Sequence, residues 1–62
     1  MSDWQAGDLV WAKYTGWPWW PAVVSEAKCK EPGSLMRVVF IDRKPLYAWI
    51  KIELVVDFHM LQ

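Results

Sequence analysis

Gly16-Trp17-Pro18-Trp19-Trp20-Pro21 is the stretch on which the reading of this chain turns. Six tryptophans and four prolines occur in the whole sequence, and this hexapeptide holds half of each. Indole is the best side-chain face for attracting a cation, and it buries a large area when it packs. Each proline fixes its own φ and biases its predecessor towards an extended backbone. Trp17 and Trp20 are those predecessors. A stiff loop that carries large rings can hold open an aromatic wall. The same rings would also serve as filling for a small core.

Outward from that stretch, size sets the first limit. A chain of 62 residues is one domain at most. Chains this short bury only about 60% of their extended surface, so heavy aromatics are an efficient way to build a core. The composition is 55% hydrophobic and 23% charged, which argues for a folded unit rather than a disordered one. Residues 1–62 are therefore expected to form a single domain, with a barrel over about 7–58.

Seven basic and seven acidic side chains balance to zero formal charge, but unevenly along the chain. Residues 28–51 hold Lys28, Lys30, Arg37, Arg43, Lys44 and Lys51 against Glu31 and Asp42. A basic middle permits modest nucleic-acid contact without demanding it. With one cysteine, Cys29, no internal disulfide can form. No apolar run approaches the ~20 residues of a membrane span. The N-terminus has no basic and apolar regions of a signal peptide. No membrane partner is expected.

The chain reads as five short strands. Leu9 to Tyr14 is rich in strand formers, and period two puts Leu9, Trp11 and Lys13 on one face and Val10, Ala12 and Tyr14 on the other. Trp11 is expected to be buried, with Lys13 snorkelling at the strand end. Thr15-Gly16 turns the chain into the aromatic loop. Ala22 to Lys28 is a second strand, and Pro32-Gly33 marks the turn to a third, Leu35 to Ile41. The connection is too short for a crossover helix, so these two strands pair antiparallel. Asp42 to Pro45 is the next turn. Leu46 to Ile50 is the fourth strand, with Tyr47 and Trp49 on one face and Trp49 packed against core or sheet. Residues 51–54 form one short helical turn, Val55 to Phe58 closes the sheet, and His59 to Gln62 is a tail. A small, strongly bent barrel follows, because closure removes exposed edges.

Catalysis has little to stand on. One His and one Cys lie thirty positions apart, and a nucleophile needs a base and an orienting group. No Cys/His cluster has metal-ligand spacing, and no glycine-rich phosphate loop is present. No catalytic residue, metal or cofactor is assigned. Binding has more. A trimethyl-lysine donates no hydrogen bond and is recognised by rings that surround its charge. Trp17 and Trp20, three apart across a stiff loop, make two adjoining walls. Phe40 ends the third strand, and Tyr14 ends the first just before the loop.

Gly7-Asp8-Leu9-Val10-Trp11-Ala12-Lys13, followed by Gly16-Trp17-Pro18-Trp19-Trp20-Pro21-Ala22, closely resembles the opening of the PWWP domain family. Pro18-Trp19-Trp20-Pro21 is the quartet that names it. Phe40-Ile41-Asp42 and Trp49-Ile50 match the family's third strand, turn and fourth strand, so the resemblance covers about residues 4–58. It implies an all-β, five-stranded, SH3-like antiparallel barrel. The usual C-terminal helical bundle of the family has no counterpart here. It implies a nuclear chromatin reader that binds a trimethylated histone lysine weakly in an aromatic cage and nucleosomal DNA through a basic surface beside it.

Carried over by position, the resemblance makes Trp17, Trp20 and Phe40 the cage. Tyr14 matches a lid position in some members, and Asp42 falls where some place an acidic or small polar residue near the ligand. Trp19 stands at a variable position. Lys13, Arg43, Lys44 and Lys51 are the DNA-contact candidates. The zero net charge departs from the basic character of many members. A methylated histone tail and nucleosomal DNA are thus the expected partners of a monomeric domain, with a further protein partner conceivable at Trp4 or Trp19. The alternative is a barrel that binds a proline-rich or other unmodified peptide through exposed aromatics.

Overall fold

Val10-Ala12, Ala22-Val24 and Met36-Val38-Phe40 each place apolar residues two apart, and an extended backbone sends such residues to one face. The computed structural model, which describes residues 4–27, 31 and 33–61, shows that face buried. Strands β1 (Leu9–Ala12), β2 (Trp20–Glu26), β3 (Leu35–Phe40), β4 (Leu46–Lys51) and β5 (Val55–Asp57) form one antiparallel sheet in the order β4-β3-β2-β1-β5. Two 3-10 turns, Ile52–Leu54 and Phe58–Leu61, flank β5. The expected strands and the short turn before β5 are present; β2 begins two residues earlier than its sequence indicates, at Trp20.

The core draws on all five strands: Val10, Ala12, Ala22, Val24, Met36, Val38, Phe40, Ile50 and Val55. Met36, Val10, Val24 and Val38 are the largest fully buried side chains, and each contributes about 1.5–3 kcal/mol by leaving water. Trp4 packs against this cluster from one end of the chain, and Ile52 from the other.

The expected closed barrel is not formed. The ladder runs from β4 to β5 and stops, leaving those strands as its two edges. Only the three residues Ile52–Leu54 separate β4 from β5, which at a 3-10 rise spans about 6 Å. The sheet therefore curls enough to bring its edges near each other at that point. The linking turn spends its hydrogen bonds elsewhere: Ile52 N donates to Ser34 O at 2.9 Å, Lys13 N donates to Leu54 O at 2.9 Å, and Gly33 N donates to the Glu53 carboxylate at 2.9 Å. β5 is three residues long and pairs with β1 alone. A register shift in β2 between Val24 and Glu26 adds bend. Curvature without closure is the result.

Two aromatic expectations are also corrected. Trp11 lies on the face opposite Val10 and Ala12 and is half-buried rather than core. Its ring stacks on Phe58, with centroids 4.8 Å apart and planes 8° from parallel, and its Nε1 donates to Phe58 O at 2.7 Å. An indole has an N–H to satisfy, and the outer face supplies a carbonyl where the apolar core does not. Trp49 is 48% exposed instead of packed. It stands opposite Arg37 on the outer face, two residues from Tyr47, whose ring lies 4.1 Å under the Arg37 guanidinium.

Candidate functional site

Four segments bring their ends together at one end of the sheet. The first is the turn after β1. Trp17 N donates to Tyr14 O at 2.9 Å, and Gly16 takes φ +81. A Cβ at Gly16 would meet nothing within 4 Å, so backbone conformation rather than space selects glycine there. The Lys13 ammonium donates to Trp17 O, closing the turn from the side-chain direction.

The second segment is the start of β2. Trp20 pairs across from Ala12, whose small side chain leaves the inner face open to the indole. Trp20 Nε1 donates to Ile41 O at 3.0 Å, and Ile41 N donates to Pro21 O at 3.0 Å. Pro21 has no N–H to give, so only its carbonyl is in use towards Ile41. The third is the end of β3, where Phe40 is 6% exposed and pairs with both Ala22 and Leu46. The fourth is the bend after Ile41, where the Asp42 carboxylate accepts from Arg43 N at 2.7 Å.

Tyr14, Trp17, Trp20, Phe40, Asp42 and Leu46 line one open pocket of about 330 Å³, counting its mouth. The Trp17 and Trp20 rings meet at 87° with centroids 6.0 Å apart, so they form two walls of a corner. Tyr14 and Phe40 are 6.1 Å apart and tilted by 59°. Phe40 is the floor, while Trp17 at 47% and Tyr14 at 40% exposure form the rim.

All five residues named from the sequence as cage or cage-adjacent therefore share this pocket. The basic residues divide. Arg43 and Lys44 follow Asp42 directly in the bend beside it. Lys13 is engaged with the loop, and Lys51 closes β4 at the end away from Leu46. Lys28 and Lys30 lie outside the described residues, as does Cys29. Two participants were missed. Leu46 enters because its pairing with Phe40 puts it on the same inner face; strand alternation from the buried Ile50 could have found it. The Lys13–Trp17 contact carried no sequence signal beyond the i, i+4 spacing.

Among the described residues no three His, Cys, Asp or Glu side chains are placed to hold a metal ion, and no helix is long and apolar enough to cross a membrane. A curled antiparallel sheet with an aromatic pocket where its loops meet defines a binding module. The chain belongs to the PWWP domain family, whose model matches residues 7–62. Members of this family are non-catalytic chromatin readers. The chain is similar to the DNA mismatch repair protein Msh6 of Homo sapiens, at 40% identity over 55 residues and 77% of this chain. It is similar to Msh6 of Gallus gallus at 35% over 54 residues (76% of this chain). It also resembles the histone-lysine N-methyltransferase NSD3 of Mus musculus, at 37% over 54 residues (74% of this chain). The chain spans about 4% of the length of each of these relatives.

Proposed function

We propose that this domain binds a methylated histone lysine in the pocket of Trp17, Trp20 and Phe40, with auxiliary, non-specific contact to nucleosomal DNA. The observation that carries the reading is the perpendicular Trp17–Trp20 pair over Phe40 in a pocket whose one charged lining residue is acidic. Ring faces attract a cation by about 0.5–2 kcal/mol each, and burial of methyl groups adds to that. The Asp42 carboxylate has the sign that a methylammonium requires. Tyr14 closes the rim on the side of the β1 turn. A nuclear chromatin setting follows from the family.

A site this small binds weakly by itself. Arg43 and Lys44 sit beside it in the chain, where phosphate contact would add affinity that falls with salt. Such contacts carry little sequence information. Lys13 and Lys51 are secondary contributors, one because it is engaged with Trp17 O and the other because it lies at the far end of β4. Two contacts on one nucleosome multiply their effect through the high local concentration of the second. The names of the relatives, a histone-lysine methyltransferase and a DNA mismatch repair protein, fit a domain that works where histone lysines and DNA are both present.

The alternative, an unmodified or proline-rich peptide on an aromatic ridge, calls for shallow parallel rings. The 87° angle between Trp17 and Trp20 favours a corner over a ridge. Calorimetric titration of trimethylated, dimethylated and unmethylated histone-tail peptides into wild type and Trp20→Ala tests the reading. Methyl-dependent binding that disappears in a folded Trp20→Ala supports it. Equal affinity in the folded variant contradicts it.

A further inference from the structure

We propose a second binding site on the outer face of β3 and β4, where Tyr47, Trp49, Arg37 and Lys51 form an open platform that takes single-stranded nucleic acid by stacking its bases. The site lies on the face of β4 opposite Leu46, which lines the pocket, and does not rest on the methyl-lysine reading. It is also separate from the duplex contact at Arg43 and Lys44, which engages phosphates alone.

Alternation along β4 puts Tyr47, Trp49 and Lys51 on the face opposite the buried Ile50. Arg37 of β3 stands directly across from Trp49. Trp49 therefore has one cation next along its own strand and another across the ladder. Tyr47 is 60% exposed even with the Arg37 guanidinium 4.1 Å from its ring centroid. That guanidinium is held in place: its Nη1 donates to Ser25 Oγ at 3.4 Å, and Ser25 Oγ donates to Arg37 O at 3.1 Å. Glu26 of β2 stands across from Arg37 on its other side, so Arg37 serves by its flat plane as well as by its charge. Trp11 and Trp20 satisfy their indole N–H groups on carbonyls of the fold. The Trp49 N–H has no acceptor among the described residues. β4 is also an edge of the sheet, so no further strand walls the platform on that side.

Rings two residues apart on one strand stand about 6–7 Å apart along it, fixed to a sheet rather than to a loop. Unstacked bases lie on such rings without regard to sequence, because every base has a π-face, and guanidinium planes stack on bases as well. Neither β3 nor β4 contains a carboxylate, so the charge on this face has one sign, opposite to that of phosphate. Lys51 is placed to meet the backbone of a strand whose bases cover Trp49 and Tyr47. An apolar protein surface would bury the same rings but would set Arg37 and Lys51 against it without counter-charge, which is penalised. A second copy of this face would bring the cations against their own kind. A duplex keeps its base faces stacked inside, so the platform selects single strands.

The test uses the 62-residue chain and labelled probes of about twelve nucleotides, within the span of one small binding module. The probes are oligothymidylate, oligouridylate, a deoxyribose-phosphate strand without bases, and a DNA duplex. Fluorescence anisotropy gives affinities for wild type, Trp49→Thr, Trp49→Phe and Lys51→Gln. Trp49 is half exposed and threonine is a strand former, so the core and the strand stay in place; the Trp17 and Trp20 indole NMR signals report it. Wild type is expected to bind a base-bearing single strand about tenfold or more tightly than the strand without bases. Trp49→Thr is expected to lose about five- to 100-fold of that affinity and to bind the baseless strand and the duplex as wild type does. Trp49→Phe keeps most of it. Lys51→Gln flattens the slope of log affinity against log salt by about 0.7. Whichever of oligothymidylate and oligouridylate binds more tightly tells DNA from RNA as the source. Equal affinity for strands with and without bases overturns the inference, as does affinity that survives in a folded Trp49→Thr or binding of the duplex alone. Trp49 indole shifts that grow with protein concentration in the absence of any probe also overturn it, because they put a second copy on this face.

Discussion

Trp20 at the start of β2 donates its indole Nε1 to the carbonyl of Ile41, one residue past the end of β3, at 3.0 Å. That bond ties a pocket wall to the bend that carries Asp42. The return bond from Ile41 N to Pro21 O, also 3.0 Å, makes the link reciprocal. A ring held at its polar edge is pre-oriented, so less freedom is lost when a ligand enters. Trp20→Phe keeps an aromatic face and removes this donor. It is expected to weaken methyl-lysine binding by several-fold and to lower stability by about 1 kcal/mol. Trp20→Ala is expected to abolish detectable binding. Titration and urea melts on the two variants check both parts.

Gly16 supplies the second prediction. Its φ of +81 costs an L-residue about 1–2 kcal/mol. Gly16→Ala meets no atom within 4 Å, so any penalty comes from backbone conformation alone. The Trp17 wall hangs directly on that turn. We expect lower affinity for a methyl-lysine peptide together with a stability loss of about 1 kcal/mol, read by calorimetry and chemical denaturation.

The core is thin, and Met36 is its largest fully buried side chain. Met36→Ala is expected to cost about 2–5 kcal/mol. A domain of this size has a narrow margin, so the variant should be largely unfolded at room temperature. Circular dichroism and the dispersion of the NMR spectrum measure it.

The DNA half of the proposal is tested at Lys44. Lys44→Glu should weaken binding to a short duplex at low salt and leave peptide affinity nearly unchanged. The slope of log affinity against log salt should flatten by about one for each lost phosphate contact. Fluorescence anisotropy over a salt series reads both quantities. An unaltered slope removes Lys44 from the DNA surface.

The strands were legible because their apolar residues alternate and because Gly and Pro punctuate them. The pocket residues were legible through the family resemblance, which matched Trp17, Trp20 and Phe40 by position. Which face of β1 is buried was not legible. Trp11 outweighs Val10 and Ala12 in apolar area, yet the small residues face inward, where the opposing strands leave little room, and the indole goes where Phe58 O can accept its N–H. The same rule misjudged Trp49. Closure of the sheet was not legible either. It depends on where Ile52 N, Leu54 O and the Glu53 carboxylate find their hydrogen-bond partners, and no alternation of apolar residues records that. The Lys13 contact to Trp17 O was hidden for a similar reason: its acceptor is a backbone carbonyl.

The most direct measurement of the central claim is an NMR titration that follows the tryptophan indole N–H signals as a methylated histone-tail peptide is added. Trp17 and Trp20 line the pocket, while Trp11 and Trp49 lie on the outer face. The account predicts saturable shifts at the Trp17 and Trp20 indoles with the methylated peptide, little change at Trp11 and Trp49, and none of these shifts with the unmethylated peptide. Shifts centred on Trp49, or shifts of equal size with and without methylation, would contradict it.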